Sequence, residues 1–131
     1  MKGLLLSALV ISSASCAFVN AGTDVSGEWI ITQERDFRGD PGVPVECTFA
    51  QDRAQLTVRC GAAQKSNEMK GEIRGSTVTW GIEKTGIPPM TEDRLSLMYR
   101  AEIDEAGTHL KGVWRLTSSV LNEKGNFEGV R

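Results

Sequence analysis

The sequence predicts an all-β fold, an eight-stranded antiparallel up-and-down β-barrel with one disulfide. Three observations carry that prediction: a hairpin with a cysteine at each end, apolar and polar residues alternating along eight short runs, and glycine-rich turns at regular spacing. Side chains alternate faces along a strand, so each run assigns its own inner face. Regularly spaced short strands joined by such turns point to a sandwich or barrel. Sequential hairpins favour a meander, and pairing the last strand with the first would remove both open edges.

The chain opens with Lys2, an apolar run from Gly3 to Ile11, and the small residues Ser12 to Ala17. That is the three-part build of a secretory signal peptide. Residues 1–21 are therefore read as the leader and residues 22–131 as a single β-barrel domain, exported to the periplasm or secreted. Small-x-small cleavage signals end at Ala17 and at Ala21. The apolar run is about half the roughly 20 residues a spanning helix needs, so no membrane span is expected. Cys16 follows small residues as a lipid anchor site would, although Ser13 stands where such sites carry Leu.

The first strand is predicted over Gly27–Gln33, ending in a polar loop, Asp36–Pro44, with two glycines and two prolines. The hairpin follows. Folding Cys47 to Cys60 about Arg53-Ala54 sets Cys47 opposite Cys60, Phe49 opposite Val58 and Gln51 opposite Leu56, all on one face. The chain has 3 cysteines. If Cys16 leaves with the leader, an even pair remains in an oxidising compartment, which reads as a Cys47–Cys60 disulfide. Later strands are predicted over Met69–Arg74, Thr77–Ile82, Leu95–Ile103, Leu110–Leu116 and Phe127–Val130. Gly75-Ser76, Asp104–Gly107 and Asn122–Gly125 are read as turns, and Lys84–Asp93 as a longer loop.

Alternation places Trp29, Phe49, Val58, Trp80, Tyr99, Trp114 and Phe127 inside, and Thr48, Arg59, Lys70, Arg100, Arg115 and Glu128 outside. The motif apolar-x-Gly-x-apolar recurs at Met69–Ile73 and Leu110–Trp114. Its glycines either bend the barrel wall or, with Ala101 and Gly129, leave room inside for a ligand. An eight-stranded interior can be packed solid or hold one small molecule. The candidate ligand-binding residues are Trp29, Trp80, Tyr99 and Trp114. Because the disulfide takes up interior volume near the second and third strands, ligand space is expected toward Trp80, Tyr99 and Trp114.

The opening Gly27-x-Trp29 resembles the start of the lipocalin and calycin barrels. In those barrels the Trp closes one end and a late basic residue packs on it; Arg115 and Arg131 are the candidates here. Thr77–Trp80 and Trp114–Val120 look like avidin. The chain is also similar to a broad group of small exported bacterial proteins that share the Gly-x-Trp opening, the Cys-Thr-Phe-x-Gln-Asp hairpin and a closing Gly-x-Phe-x-Gly. The lipocalin Thr-Asp-Tyr turn is missing. Ile30 and Ile31 stand where avidins carry polar groups for biotin. The resemblance therefore implies a calycin-like barrel without biotin.

Chemistry-bearing motifs are scarce. The formal net charge is −2, and loss of Lys2 with the leader makes it more negative, which argues against a nucleic-acid partner. There is one histidine, His109, beside a turn, and no Cys-x-x-Cys. Zinc wants about four ligands, so no metal and no cofactor are expected, nor is an enzyme. Two classes remain. One is a carrier or sensor that holds a small hydrophobic or aromatic ligand inside the barrel. The other is a protein-binding barrel, such as a periplasmic protease or lysozyme inhibitor, acting through the loops Asp36–Pro44 and Ile87–Met90. Periplasmic protease inhibitors also open with Ser-Gly-x-Trp, as Ser26–Trp29 does.

Overall fold

The alternating runs become eight strands: β1 (Gly27–Gln33), β2 (Val45–Asp52), β3 (Gln55–Cys60), β4 (Glu68–Arg74), β5 (Thr77–Ile87), β6 (Met90–Ile103), β7 (His109–Thr117) and β8 (Asn122–Val130). They are seen in a computed structural model that describes residues 23–61, 68–87 and 90–131, with the backbone alone for residues 85–87 and 90–93. The predicted leader, residues 1–21, and the lipidation candidate Cys16 lie outside the described residues. Each strand pairs antiparallel with its sequence neighbours, and β8 returns to β1, closing the barrel.

The β2–β3 hairpin has the predicted register, with Cys47 opposite Cys60, Phe49 opposite Val58 and Gln51 opposite Leu56. Cys47 and Cys60 form the disulfide, Cα to Cα 4.0 Å. Arg53 turns the chain with φ of 60°. Its carbonyl accepts a 2.8 Å hydrogen bond from Gln51 Nε2, which ties the turn to the strand before it.

Two boundaries differ from expectation. β5 and β6 run up to Ile87 and from Met90, which pair with each other across a register shift between Thr85 and Ile87. The predicted Lys84–Asp93 loop is thus mostly strand. Proline lacks the N–H a ladder needs, and the ladder reaches the residue on either side of Pro88-Pro89, which lie outside the described residues. β8 likewise begins at Asn122, so the turn precedes it: Ser118 N–H donates to Leu121 O at 2.9 Å, and Ser118 Oγ accepts from Val120 and Leu121 N–H.

The inner face is as the alternation requires: Trp29, Phe49, Val58, Trp80, Trp114 and Phe127 are buried, and no charged side chain is buried among the described residues. The motif glycines do not open ligand space. A Cβ on Gly71 would lie 1.9 Å from Thr79 O, and one on Gly112 would lie 1.9 Å from Arg100 O. The neighbouring strand's backbone already occupies that room, so these glycines let the wall coil sharply.

Candidate functional site

The hairpin turns β2–β3, β4–β5 and β6–β7 lie at the end of the barrel where β1 begins. That end is closed. Val25, ahead of β1, is fully buried. Its N–H donates to Gln51 Oε1 at 2.8 Å, and its carbonyl accepts from Trp29 Nε1 at 2.9 Å. The Arg131 guanidinium lies 4.7 Å from the Trp29 ring centre. It also donates to three backbone carbonyls, Gly107 at 2.7 Å, Ser26 at 2.8 Å and Asp24 at 2.9 Å. Of the two basic candidates for this role, Arg131 fills it, while Arg115 is exposed on the outer face.

Above this floor the rings form a continuous layer. Phe49 meets Trp29 at 6.0 Å and Trp80 at 5.0 Å. Trp80 stacks on Tyr99 at 5.1 Å with planes 7° apart. Phe127 presses edge-on against both, at 5.5 and 5.3 Å. Such pairs contribute about 0.5–1.5 kcal/mol each beyond the area they bury.

Toward the opposite end the packing loosens. Val45, Cys60, Ile82, Leu95 and Leu97 are partly buried there. A cavity of about 220 Å³ opens among Ile31, Gln33, Phe37, Val45, the Cys47–Cys60 disulfide, Met69, Leu97 and the Trp80–Tyr99 pair, with Asp36, Gly42 and Val43 at its rim. Tyr99 O–H donates to Gln33 Oε1 at 2.7 Å, and Gln33 Nε2 donates to Arg35 O at 3.2 Å. Burial pushes the Tyr99 phenol up to about 12.

The β1–β2 loop is built over this mouth. Arg35 and Pro41 form a β-bridge. Asp36 Oδ1 accepts from the N–H groups of Arg38 at 2.8 Å and Asp40 at 2.9 Å. Those donors, the Arg38 bond foremost, hold the Asp36 carboxyl below its ordinary range. The Arg35 guanidinium sits 5.3 Å from the Trp114 ring centre and donates to Lys124 O. Phe37 meets Trp114 edge-on at 5.1 Å.

Of the four predicted binding residues, the structure brings Trp80 and Tyr99 together in the cavity wall. Trp29 belongs to the closed floor. Trp114 lies against β8, where a Cβ on Gly125 would come 2.7 Å from its Nε1; it reaches the cavity through Phe37. The space lies beside Trp80 and Tyr99, as expected, but it also reaches the disulfide, from which the expectation set it apart, and it lacks Trp114 in its lining. Gln33 and Phe37 were missed. Gln33 continues the parity of Trp29 and Ile31, so alternation could have found it. Phe37 sits in a loop and carries no period. A larger hollow of about 630 Å³ crosses the outer surface over β1, β8 and β7; the Lys111 and Glu128 side chains beside it are 79% and 68% exposed, which marks it as open surface.

His109 closes the β6–β7 turn at the other end. Its Nδ1 lies 3.2 Å from Asp104 Oδ2 and 3.0 Å from Thr108 Oγ1. The Thr108 N–H, foremost, lowers the Asp104 carboxyl.

These observations define a class, an eight-stranded antiparallel closed β-barrel with one disulfide, compatible with a calycin-like fold. Compared with known families, curated proteins and solved structures, the chain matches none.

Proposed function

We propose that this is an exported, non-enzymatic barrel that holds one small hydrophobic or aromatic molecule at its open end. The observation that carries the reading is the apolar cavity of about 220 Å³ bounded by the stacked Trp80 and Tyr99 rings. That volume lies between the roughly 150 Å³ of a cavity known to accept benzene and the roughly 300 Å³ at which drug-sized pockets begin. A single-ring ligand suits it. The barrel architecture supports the reading, since an eight-stranded barrel can hold one small ligand inside. Export is supported by the leader-like residues 1–21 and by the disulfide, which persists in oxidising compartments. The test is titration of intrinsic fluorescence with a panel of single-ring compounds. Trp80 faces the site, so binding is expected to shift or quench the emission. A panel that leaves the emission unchanged overturns the reading.

One observation favours the alternative, a protein-binding barrel. Phe37, Val43, Val120 and Leu121 expose apolar surface on loops at the open end, Val43 and Val120 at 70% and 71%. As an inhibitor of a protease or lysozyme, the protein would use this rim together with the predicted Ile87–Met90 loop. Assays of purified secreted hydrolases with and without the protein decide it. Inhibition abolished by Val43→Asp supports this reading, and the absence of inhibition removes it.

A further inference from the structure

The outer wall carries a charge conflict that the fold leaves unresolved. Arg115 on β7 stands directly opposite Lys124 on β8, while Met98 and Arg100 on β6 stand opposite Arg115 and Val113 on β7. Like charges directly opposite in a sheet are destabilising. The side chains of Arg100, Arg115 and Lys124 make no ion pair or hydrogen bond among the described residues. By contrast, Arg59 and Lys70 reach Glu68, Arg74 reaches Glu72 at 3.2 Å, and Lys111 reaches Glu128 at 3.8 Å. All three cations are exposed, and on the same face Met98 and Val113 are 46% and 50% exposed. The formal net charge of the chain is −2. Unpaired cations gathered around two bare apolar side chains are a local inconsistency of the kind that functional surfaces carry.

The surface beside this patch is concave. Val113 and Asn126, opposite each other on β7 and β8, also line the hollow of about 630 Å³ that crosses β7, β8 and β1. The cationic area is also short. Glu102 and Glu128 lie on the same face toward the closed end, Glu128 paired with Lys111 and Glu102 bonded by the Ser76 and Thr77 hydroxyls at 2.8 and 2.7 Å. Glu83, exposed and opposite Ser96, lies on that face toward the open end. An extended anionic surface such as a bilayer would meet these acids as well as the cations. On a convex barrel wall, long Arg and Lys side chains also reach farther than Met98 and Val113, which holds the apolar groups away from a flat membrane. A protein surface suits the patch better, because protein interfaces are enriched in Met and Arg and surround an apolar centre with polar groups.

We infer that this face of β6, β7 and β8 docks an acidic partner protein, whose carboxylates meet Arg100, Arg115 and Lys124 and whose apolar side chain enters the hollow beside Val113. The inference is independent of what the cavity holds. The partner's carboxylates relieve the repulsion between Arg115 and Lys124, and covering Met98 and Val113 adds apolar contact. A second copy of this chain does not fit, because an isologous contact sets the same patch against itself, cation against cation.

The test titrates the disulfide-intact protein with an acidic peptide, three glutamates on each side of one leucine, while NMR follows the backbone amide signals. The peptide is expected to move signals in β6, β7 and β8 and to lose most of its affinity at about 1 M salt, where charges are screened beyond about 3 Å. The same peptide with glutamine in place of glutamate should bind about tenfold more weakly. Arg115→Glu should weaken binding of the glutamate peptide by a similar factor. That variant sets a carboxylate opposite Lys124, so its Tm should equal or exceed that of the unsubstituted protein, and lost binding is then not misfolding. Equal affinity for the two peptides, or binding unchanged by Arg115→Glu, overturns the inference. So does a titration in which no signal in β6, β7 or β8 moves. If vesicles containing phosphatidylglycerol sediment the protein while the peptide leaves these signals still, the patch belongs to a membrane and the inference falls. The two peptides decide the matter on the unsubstituted protein even if Arg115→Glu does not fold.

Discussion

The two ends of this barrel are each capped by an arginine over a tryptophan, yet they are built for different work. At the closed end Arg131 covers Trp29 and spends its donors on three carbonyls, with Val25 plugged beneath. At the open end Arg35 covers Trp114, donates to one carbonyl, that of Lys124, and stands 4.0 Å from Glu123, and several core residues at that end are only partly buried. Nearly the same device therefore gives a sealed floor in one place and a mouth in the other. What differs is whether backbone carbonyls converge on the guanidinium and whether an apolar plug lies below it. The tighter packing lies at the floor, and the proposed binding at the mouth.

Trp29→Ala should produce the largest effect, a loss of about 4 kcal/mol measured by denaturant unfolding. Phe37→Ala at the mouth should cost about 1 kcal/mol but weaken ligand-induced fluorescence changes. Equal losses would erase the distinction between the ends. Next comes the staple on the open side. Cys47→Ala with Cys60→Ala should lower stability by about 3 kcal/mol for a closed loop of this length, seen as a drop in Tm that reductant reproduces in the unsubstituted protein.

Tyr99 supplies a pH test of the cavity wall. Its phenol ionises at about 12 when folded, against an ordinary value of 10.0. The unfolded chain therefore loses its proton first. The contribution is complete below pH 10 and is lost as pH rises toward 12, by up to about 2–3 kcal/mol. The protein has 1 tyrosine, so absorbance at the tyrosinate band reports this site alone. A midpoint near 10 in the folded protein would mean that the open end is wet down to the aromatic layer. The smallest contrast is between the caps. Arg131→Ala should cost about 2 kcal/mol, from the cation–π contact and the hydrogen bonds together, and Arg35→Ala about 1 kcal/mol. Thermal unfolding of the two variants side by side measures the difference.

Much of this barrel was legible because alternation is a local property. The Cys47–Cys60 register follows from period two and one turn, and the inner face of every other strand follows the same parity. Lys84–Asp93 was misread because two prolines and a glycine look like a loop, whereas a long hairpin needs only its tip to be free of ladder bonds. Asn122–Gly125 has turn-forming residues, but Gly125 sits in β8, where its missing side chain seats the Trp114 indole. The cavity's reach to the disulfide was illegible for a different reason. Which side of a closed barrel is empty depends on how far neighbouring backbones approach, as at Gly71 and Gly112, and no single strand records that distance. Val25 shows the same limit: one apolar residue between Asp24 and Ser26 has no period to betray it.

The seam between β1 and β8 has a kinetic consequence. It is made by four paired positions, Ile30 to Gln33 against Val130 to Phe127, and its neighbouring Arg131–Ser26 bond joins residues 105 apart in sequence. The seven hairpin pairings can form as the chain emerges, but this one must wait for the last strand and then pay the largest loop-closure entropy. Until it forms, the molecule is an open curled sheet with two unpaired edges, each able to accept a strand from another copy. Folding yield at high concentration should therefore hinge on how quickly this short seam zips, and a misassembled product would most naturally be a dimer exchanging β8.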